Sequence, residues 1–204
     1  MNKWKRYKIR DVGHVITGKT PSRRNPKDWG DKIPFVTPSD YKYFYKEVQH
    51  TERRISESGI ARFLKIIIPD NSLLITCIGN IGYVAINRQP VLTNQQINSI
   101  IIMDPSVNIE FLYYSLLYTQ KRLQLYGSSG SVVPIINKTD FENFEIYIPS
   151  YSEQKAIIGV FKGLDDKIDL LRRQNETLEA LAETLFRQWF IEEAQESWLL
   201  GKLP

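Results

Sequence analysis

Between residues 157 and 189, core positions recur with an alternation of four and three that never slips. Ile157, Leu164, Leu171, Leu178 and Leu185 hold one repeating position, and Phe161, Ile168, Asn175, Ala182 and Trp189 hold the other. A repeat that averages 3.5 residues lays these side chains along one stripe of a helix, which is the pattern of a coiled coil. Pro149 closes the preceding segment, Ser152 is placed to cap, and Glu153 and Gln154 open a run without proline. The expected helix covers 153–194 and, at 1.5 Å per residue, is roughly 60 Å long. The predicted divisions are therefore 1–150 for a first domain, 151–195 for a long dimerising or spacer helix, and 196–204 for a tail. An apolar stripe of this length is buried against a second helix, so a dimer or a partner helix is expected. Asn175 is the only polar member of the stripe, where an amide costs stability but penalises shifted registers. The competing arrangement lays the helix on its own domain, with Asn175 exposed and Phe186 and Phe190 broadening the apolar face.

Upstream the pattern changes to short apolar runs separated by Gly, Pro, Asn and Ser. Runs at 33–37, 66–68, 73–78, 83–86, 97–103 and 144–148 read as strands, and 109–126 reads as a helix with Leu112, Leu116 and Leu123 on one face. The fold class predicted is α+β: a mixed-sheet domain followed by a long C-terminal coiled-coil helix. The single cysteine, Cys77, excludes an internal disulfide and reads as a core residue, which suits a reducing compartment. The basic N-terminus is not followed by the apolar block of a secretory signal, so a cytoplasmic location is expected. The uncharged stretch 71–87 is broken by Gly79, Asn80 and Gly82, so it reads as paired strands and implies no membrane role.

Charge is divided unevenly. Residues 1–65 hold 16 Lys or Arg against 7 Asp or Glu, a local +9, whereas 151–204 hold 7 against 10, or −3. A one-sided basic surface fits a polyanion, although charge alone fits a solvated face equally well. The segment with Lys19, Thr20, Ser22, Arg23, Arg24 and Lys27 presents cations on a proline-stiffened loop suited to phosphates. The next segment, with Ser39, Tyr41, Lys42, Tyr43 and Lys46, interleaves hydroxyls, aromatics and ammonium groups. Arg53 and Arg54, which can grip guanine, and Asn94, Gln95 and Gln96, which can grip adenine, are candidate base readers. For residues 93–96 a polar turn between strands remains the alternative. Ser128 and Ser131 lie in a flexible Gly/Ser stretch that reads either as a DNA-facing loop or as a plain linker.

Three catalytic readings fail on context. Gly13, Gly18, Lys19 and Thr20 match the phosphate-loop pattern, but Pro21 and Pro26 follow where that motif needs a helix. A nuclease reading through Asp70, Asp165, Asp166 and Lys167 places three of its four members on outward positions of the heptad helix. A base methyltransferase lacks its glycine-rich cofactor loop and its proline-aromatic motif. With isolated His14 and His50 and one cysteine, the chain offers no acid, base or nucleophile constellation and no metal site.

The order of motifs resembles the specificity subunits of Type I restriction-modification enzymes. The resemblance runs from Trp4 to Gly18, Lys19, Thr20 and Pro21; through Trp29 and the run 33–37; to TERRISESG at 51–59. It continues through 69–86, Asn94 and Gln95, then Ile148, Pro149, Glu153 and Gln154, and ends at 185–190. It implies a target-recognition domain that binds double-stranded DNA, and a spacer helix. The subunit would dock methyltransferase subunits, which carry S-adenosylmethionine, and through them restriction subunits. No cofactor and no catalysis are implied for this chain. Such subunits usually hold two recognition domains and two helices, so this chain resembles half of one, and Trp198, Gly201 and Leu203 faintly resemble the start of another repeat. A homodimer, or pairing with a second half, through antiparallel helices would rebuild the architecture and select inverted half-sites. The rival from another class is a scaffold whose basic domain binds nucleic acid without sequence preference.

Overall fold

The structure is a computed structural model that describes residues 4–127 and 133–192. The chain divides into two units, Met1–Ala156 and Ile157–Pro204. In chain order the first holds β1 (Lys5–Lys8), α1 (Ile9–Val12), β2 (Gly13–Thr17), β3 (Trp29–Gly30), β4 (Ile33–Val36), β5 (Arg53–Ile55) and α2 (Glu57–Phe63). Then come β6 (Ser72–Thr76), β7 (Val84–Asn87), β8 (Leu92–Thr93), β9 (Ile97–Ile102), α3 (Ile109–Tyr118), α4 (Gln120–Gly127), α5 (Lys138–Asn143) and β10 (Glu145–Ile148). The long helix α6 is Tyr151–Arg187, followed by wider π-type winding at Gln188–Glu192.

Among the described residues the strands form three sheets. One is antiparallel in the order β2-β9-β6-β7; a second, β3-β5-β4-β8, is mixed because β4 and β8 run parallel; and β1 pairs with β10, tying the two ends of the domain together. Strand β6 is buried at every residue, which is why it reads as a continuous apolar run rather than an alternating one. Leu74 packs with Val36, Ile68, Ala85, Val91 and Ile97 in one cluster, while Phe35, Ile55 and Leu92 form another. Gly79 and Gly82, at φ +74° and +87°, supply the left-handed backbone that turns β6 into β7. Cys77 is buried, takes the Asn98 amide at 3.3 Å, and burial pushes its thiol up to about 12.

The expected strand at 66–68 is instead a 3-10 turn, Leu64–Ile66, followed by a single bridge from Ile68 to Val91. The expected helix 109–126 is two helices, broken at Thr119, whose hydroxyl donates back to the carbonyls of Ser115 and Leu116. The cap of α6 is Ser150 rather than Ser152. The Ser150 hydroxyl and backbone N–H both bond the Glu153 carboxylate, at 2.7 and 3.1 Å, in a capping-box arrangement. Gln154 then anchors the first turn from inside the domain. Its carbonyl accepts from Asn108 N–H at 2.8 Å and its amide donates to Ser106 O and Pro149 O. The heptad helix ends as an α-helix at Arg187, so Trp189 falls in the wider winding, beside the stacked Phe186 and Phe190 rings 5.2 Å apart.

Candidate nucleic-acid interface

The basic loop leaves β2 through Gly18, whose N–H donates to Ile97 O while Lys19 N–H donates to Thr93 O. A Cβ at Gly18 would lie 2.2 Å from Thr93 O, so only glycine lets the two backbones approach this closely. The Thr20 hydroxyl donates to Gln95 Oε1 at 2.7 Å, which sets the loop and the 93–96 turn side by side. Ser22 accepts from Arg24 N–H. Lys19, Ser22, Arg23, Arg24 and Lys27 are exposed, and among the described residues none of these cations has a carboxylate partner. The next regular element is a three-residue 3-10 turn at Pro26–Asp28, so no helix follows the phosphate-loop-like motif.

A second cation is held differently. Arg53 stands on β5 opposite Phe35 of β4, and its guanidinium lies 4.4 Å over Trp29 and 5.1 Å over Phe35. The two rings meet edge to face at 5.1 Å, and the Phe35 ring is fully packed below them. Arg23, Pro26, Trp29, Glu52 and Arg53 line one open depression, which joins the loop to the strand.

Several residues expected to contact DNA already have partners within the protein. Asn94 is 7% exposed, donates its amide to Gln96 Oε1 and accepts from Gln96 N–H, so these two residues build the turn and Gln95 alone faces outward. Tyr41 packs on the core and donates its hydroxyl to Leu74 O; burial raises its pKa well above the usual phenol value. Lys46 forms a 2.5 Å ion pair with Glu110 and donates to Tyr114 Oη, in a network that Arg88 extends to Glu47 and Glu110. Burial pushes the Glu110 carboxyl up, but hydrogen bonds and charge from Lys46 and Arg88 prevail and hold it below the ordinary carboxylate value. Arg54 braces the loop ahead of β4, donating to Asp31 O and Lys32 O at 2.9 and 2.6 Å. Ser39 bonds Thr37, and Lys42 pairs with Glu52 at 3.3 Å above the Tyr43 ring; all three of Ser39, Lys42 and Tyr43 are exposed. Ser128 and Ser131, like Trp198, Gly201 and Leu203, lie outside the described residues.

The sequence reading named Trp29 only within the family resemblance and missed it as a floor for Arg53. It also missed the buried Asp28, which takes Arg62 at 3.1 Å, and read Gln154 as a helix opener without its anchoring bonds into the domain.

On the second unit the heptad residues are mostly exposed in the single chain: Leu164 by 56%, Leu178 by 60%, with Ile168, Leu171, Asn175, Ala182 and Trp189 likewise at the surface and Ile157 and Leu185 half-buried. Phe161 is 42% exposed. The ion pairs Arg173–Asp169 and Arg187–Glu183 sit away from the stripe.

Residues 1–180 match the family described as the Type I restriction modification DNA specificity domain. The chain belongs to this family. It is 38% identical over 195 residues to the Type I restriction enzyme MjaIX specificity subunit of Methanocaldococcus jannaschii, covering 93% of this chain and 44% of that protein. It is 35% identical over 173 residues to the HindI specificity subunit of Haemophilus influenzae, covering 81% and 37% respectively. The chain thus spans less than half the length of these family members. Among solved structures, the S subunit from M. genitalium superposes with a TM-score of 0.68 at 18% identity, over 98% of this chain and 48% of that one, which establishes the common fold. Among the described residues, no helix of this specificity-domain chain is long and apolar enough to cross a membrane.

Proposed function

We propose that this chain is the non-catalytic DNA-reading component of a Type I restriction-modification enzyme in the cytoplasm, with its domain contacting one half of a bipartite site in double-stranded DNA. The observation that carries this reading is the row of exposed, carboxylate-free cations at Lys19, Arg23, Arg24 and Lys27, beside a ring-mounted Arg53, on a domain of the specificity family. Phosphate contacts from the loop set position, and contacts from the strand and the outward Gln95 read bases. The chain docks methyltransferase subunits, which supply S-adenosylmethionine, and restriction subunits join through them.

The helix pairs with a second copy or a second half. In an antiparallel pair with its two-fold axis at Arg173, every heptad residue meets another: Ile157 with Trp189, Phe161 with Leu185, Leu164 with Ala182, Ile168 with Leu178, and Leu171 with Asn175. No other antiparallel register uses all of them. Selection from randomised duplex DNA by the chain mixed with its methyltransferase subunit tests the reading. The expected pool is a split, inverted repeat; salt-sensitive binding with no enriched sequence would instead establish a non-specific scaffold.

A further inference from the structure

Most of the strong cations along this edge of the domain are already engaged. Arg54 bonds two carbonyls, Arg62 takes buried Asp28, Lys42 takes Glu52, and Lys46 and Arg88 share Glu110. Arg53 is the exception that is nevertheless held in place. It is exposed, its N–H groups meet no acceptor among the described residues, and its guanidinium carbon is held within 4.4 Å of the Trp29 ring centre and 5.1 Å of the Phe35 ring centre. The floor is itself fixed: Phe35 is buried, Trp29 pairs through β3 to β5, and the Thr51 hydroxyl donates to Arg53 O at 2.8 Å.

The chemistry of such a group is selective. A guanidinium offers N–H donors and no acceptor, and its donors are arranged as a planar fork. In the major groove, guanine presents two acceptors side by side, whereas adenine offers one acceptor and one donor, cytosine a donor, and thymine an acceptor beside a methyl. A donor-only fork therefore matches guanine and no other single base edge. A phosphate could also accept from it, but Arg23 lines the same depression and Lys19, Arg24 and Lys27 are exposed on the same loop, and among the described residues none of these four cations lies over a ring.

We infer that Arg53 is a specificity-determining residue that reads one guanine of the half-site through its O6 and N7 atoms, positioned by Trp29 and Phe35. This inference rests on the DNA-reading function proposed above. The test uses the chain assembled with its methyltransferase subunit. Wild type and R53A are each put through selection from randomised duplex, and R53K repeats the measurement with the charge kept and the planar fork removed. Thermal melting of the three proteins establishes that each is folded. The expected result is that both variants lose preference at one guanine position by roughly 5- to 150-fold and keep the rest of the motif. Replacing that guanine by 7-deazaguanine weakens the wild type and leaves R53A unchanged. R23A serves as contrast, weakening all sequences alike and reducing the salt slope by about 1. Uniform weakening by R53A with the motif intact would make Arg53 a phosphate contact and overturn the inference while leaving the DNA-reading function standing. A wild-type pool with no enriched sequence would remove both.

Discussion

In the domain that ends at Ala156, Leu73, Leu74 and Ile75 are wholly buried, whereas Leu164, Leu171 and Leu178 of the helix leave about half of their surface in water. Both regions are regularly patterned, and the difference is in what the pattern is matched to. The strands of the domain find their partners within the same chain, while among the described residues no other strand or helix of its own unit covers the apolar stripe of the helix. The domain is thus built to hold side chains still, and the exposed stripe of the helix is what the proposed pairing would cover.

The largest effect that sharpens this contrast is on association. The double variant Leu171→Asp, Leu178→Asp is expected to abolish pairing, because carboxylates in a buried seam cost several kcal/mol, while the melting of the domain stays put. Light scattering of the purified chain reads the result, and a dimer that survives would reject the helical interface. Inside the domain, Leu74→Ala should cost about 2–5 kcal/mol in denaturant unfolding without changing association. Gln154→Ala sits where the domain passes into the helix. It removes three hydrogen bonds and should destabilise the domain by about 1–3 kcal/mol, checked by the same unfolding curve.

A smaller effect concerns acid. Glu110 titrates in the folded domain below its ordinary value, so its contribution is present above the unfolded carboxylate pKa of about 4.3 and is lost as pH falls below that point. Glu110→Gln should flatten the acid limb of the stability curve and leave the neutral region nearly parallel to wild type. The smallest change tests register. L171C chains mixed with N175C chains should oxidise to a crossed disulfide, and L171C alone should cross-link poorly. The reverse pattern would indicate a parallel pair. Native Cys77, buried with its thiol pushed up to about 12, stays out of this chemistry.

Much of this contrast is legible in sequence, for reasons that differ by region. A heptad is a local repeat, so Ile157 through Leu185 announce the helix without any knowledge of tertiary structure; the cap at Ser150 and the widening at Gln188–Glu192 are hidden. The strand around Leu73–Ile75 is legible as a continuous apolar run. β1 and β5 are not, since KRYK and RRI are polar strings whose extended form is imposed by β10 and by β3 and β4. At the interface, composition identifies the basic loop but cannot tell a free cation from an engaged one. Lys46 and Glu110 are far apart in sequence, and Arg54 bonds backbone carbonyls that carry no residue signature. Adjacent arginines 53 and 54 point to opposite faces of one strand, which is why one stands on Trp29 and the other braces the 31–32 loop. Aromatics among lysines resemble a DNA surface at Tyr41 as much as at Tyr43, yet the first covers the core and the second is exposed.

The central claim is that one fixed domain reads a half-site and the helix sets the distance to a second. It is tested most directly by measuring affinity, in the assembled complex, for duplexes carrying two inverted copies of the selected half-site at a series of separations. The account predicts one sharp optimum in spacing, a much weaker complex with a single copy, and loss of the optimum in the Leu171→Asp, Leu178→Asp variant. Equal affinity for one copy and for two at every separation would contradict it.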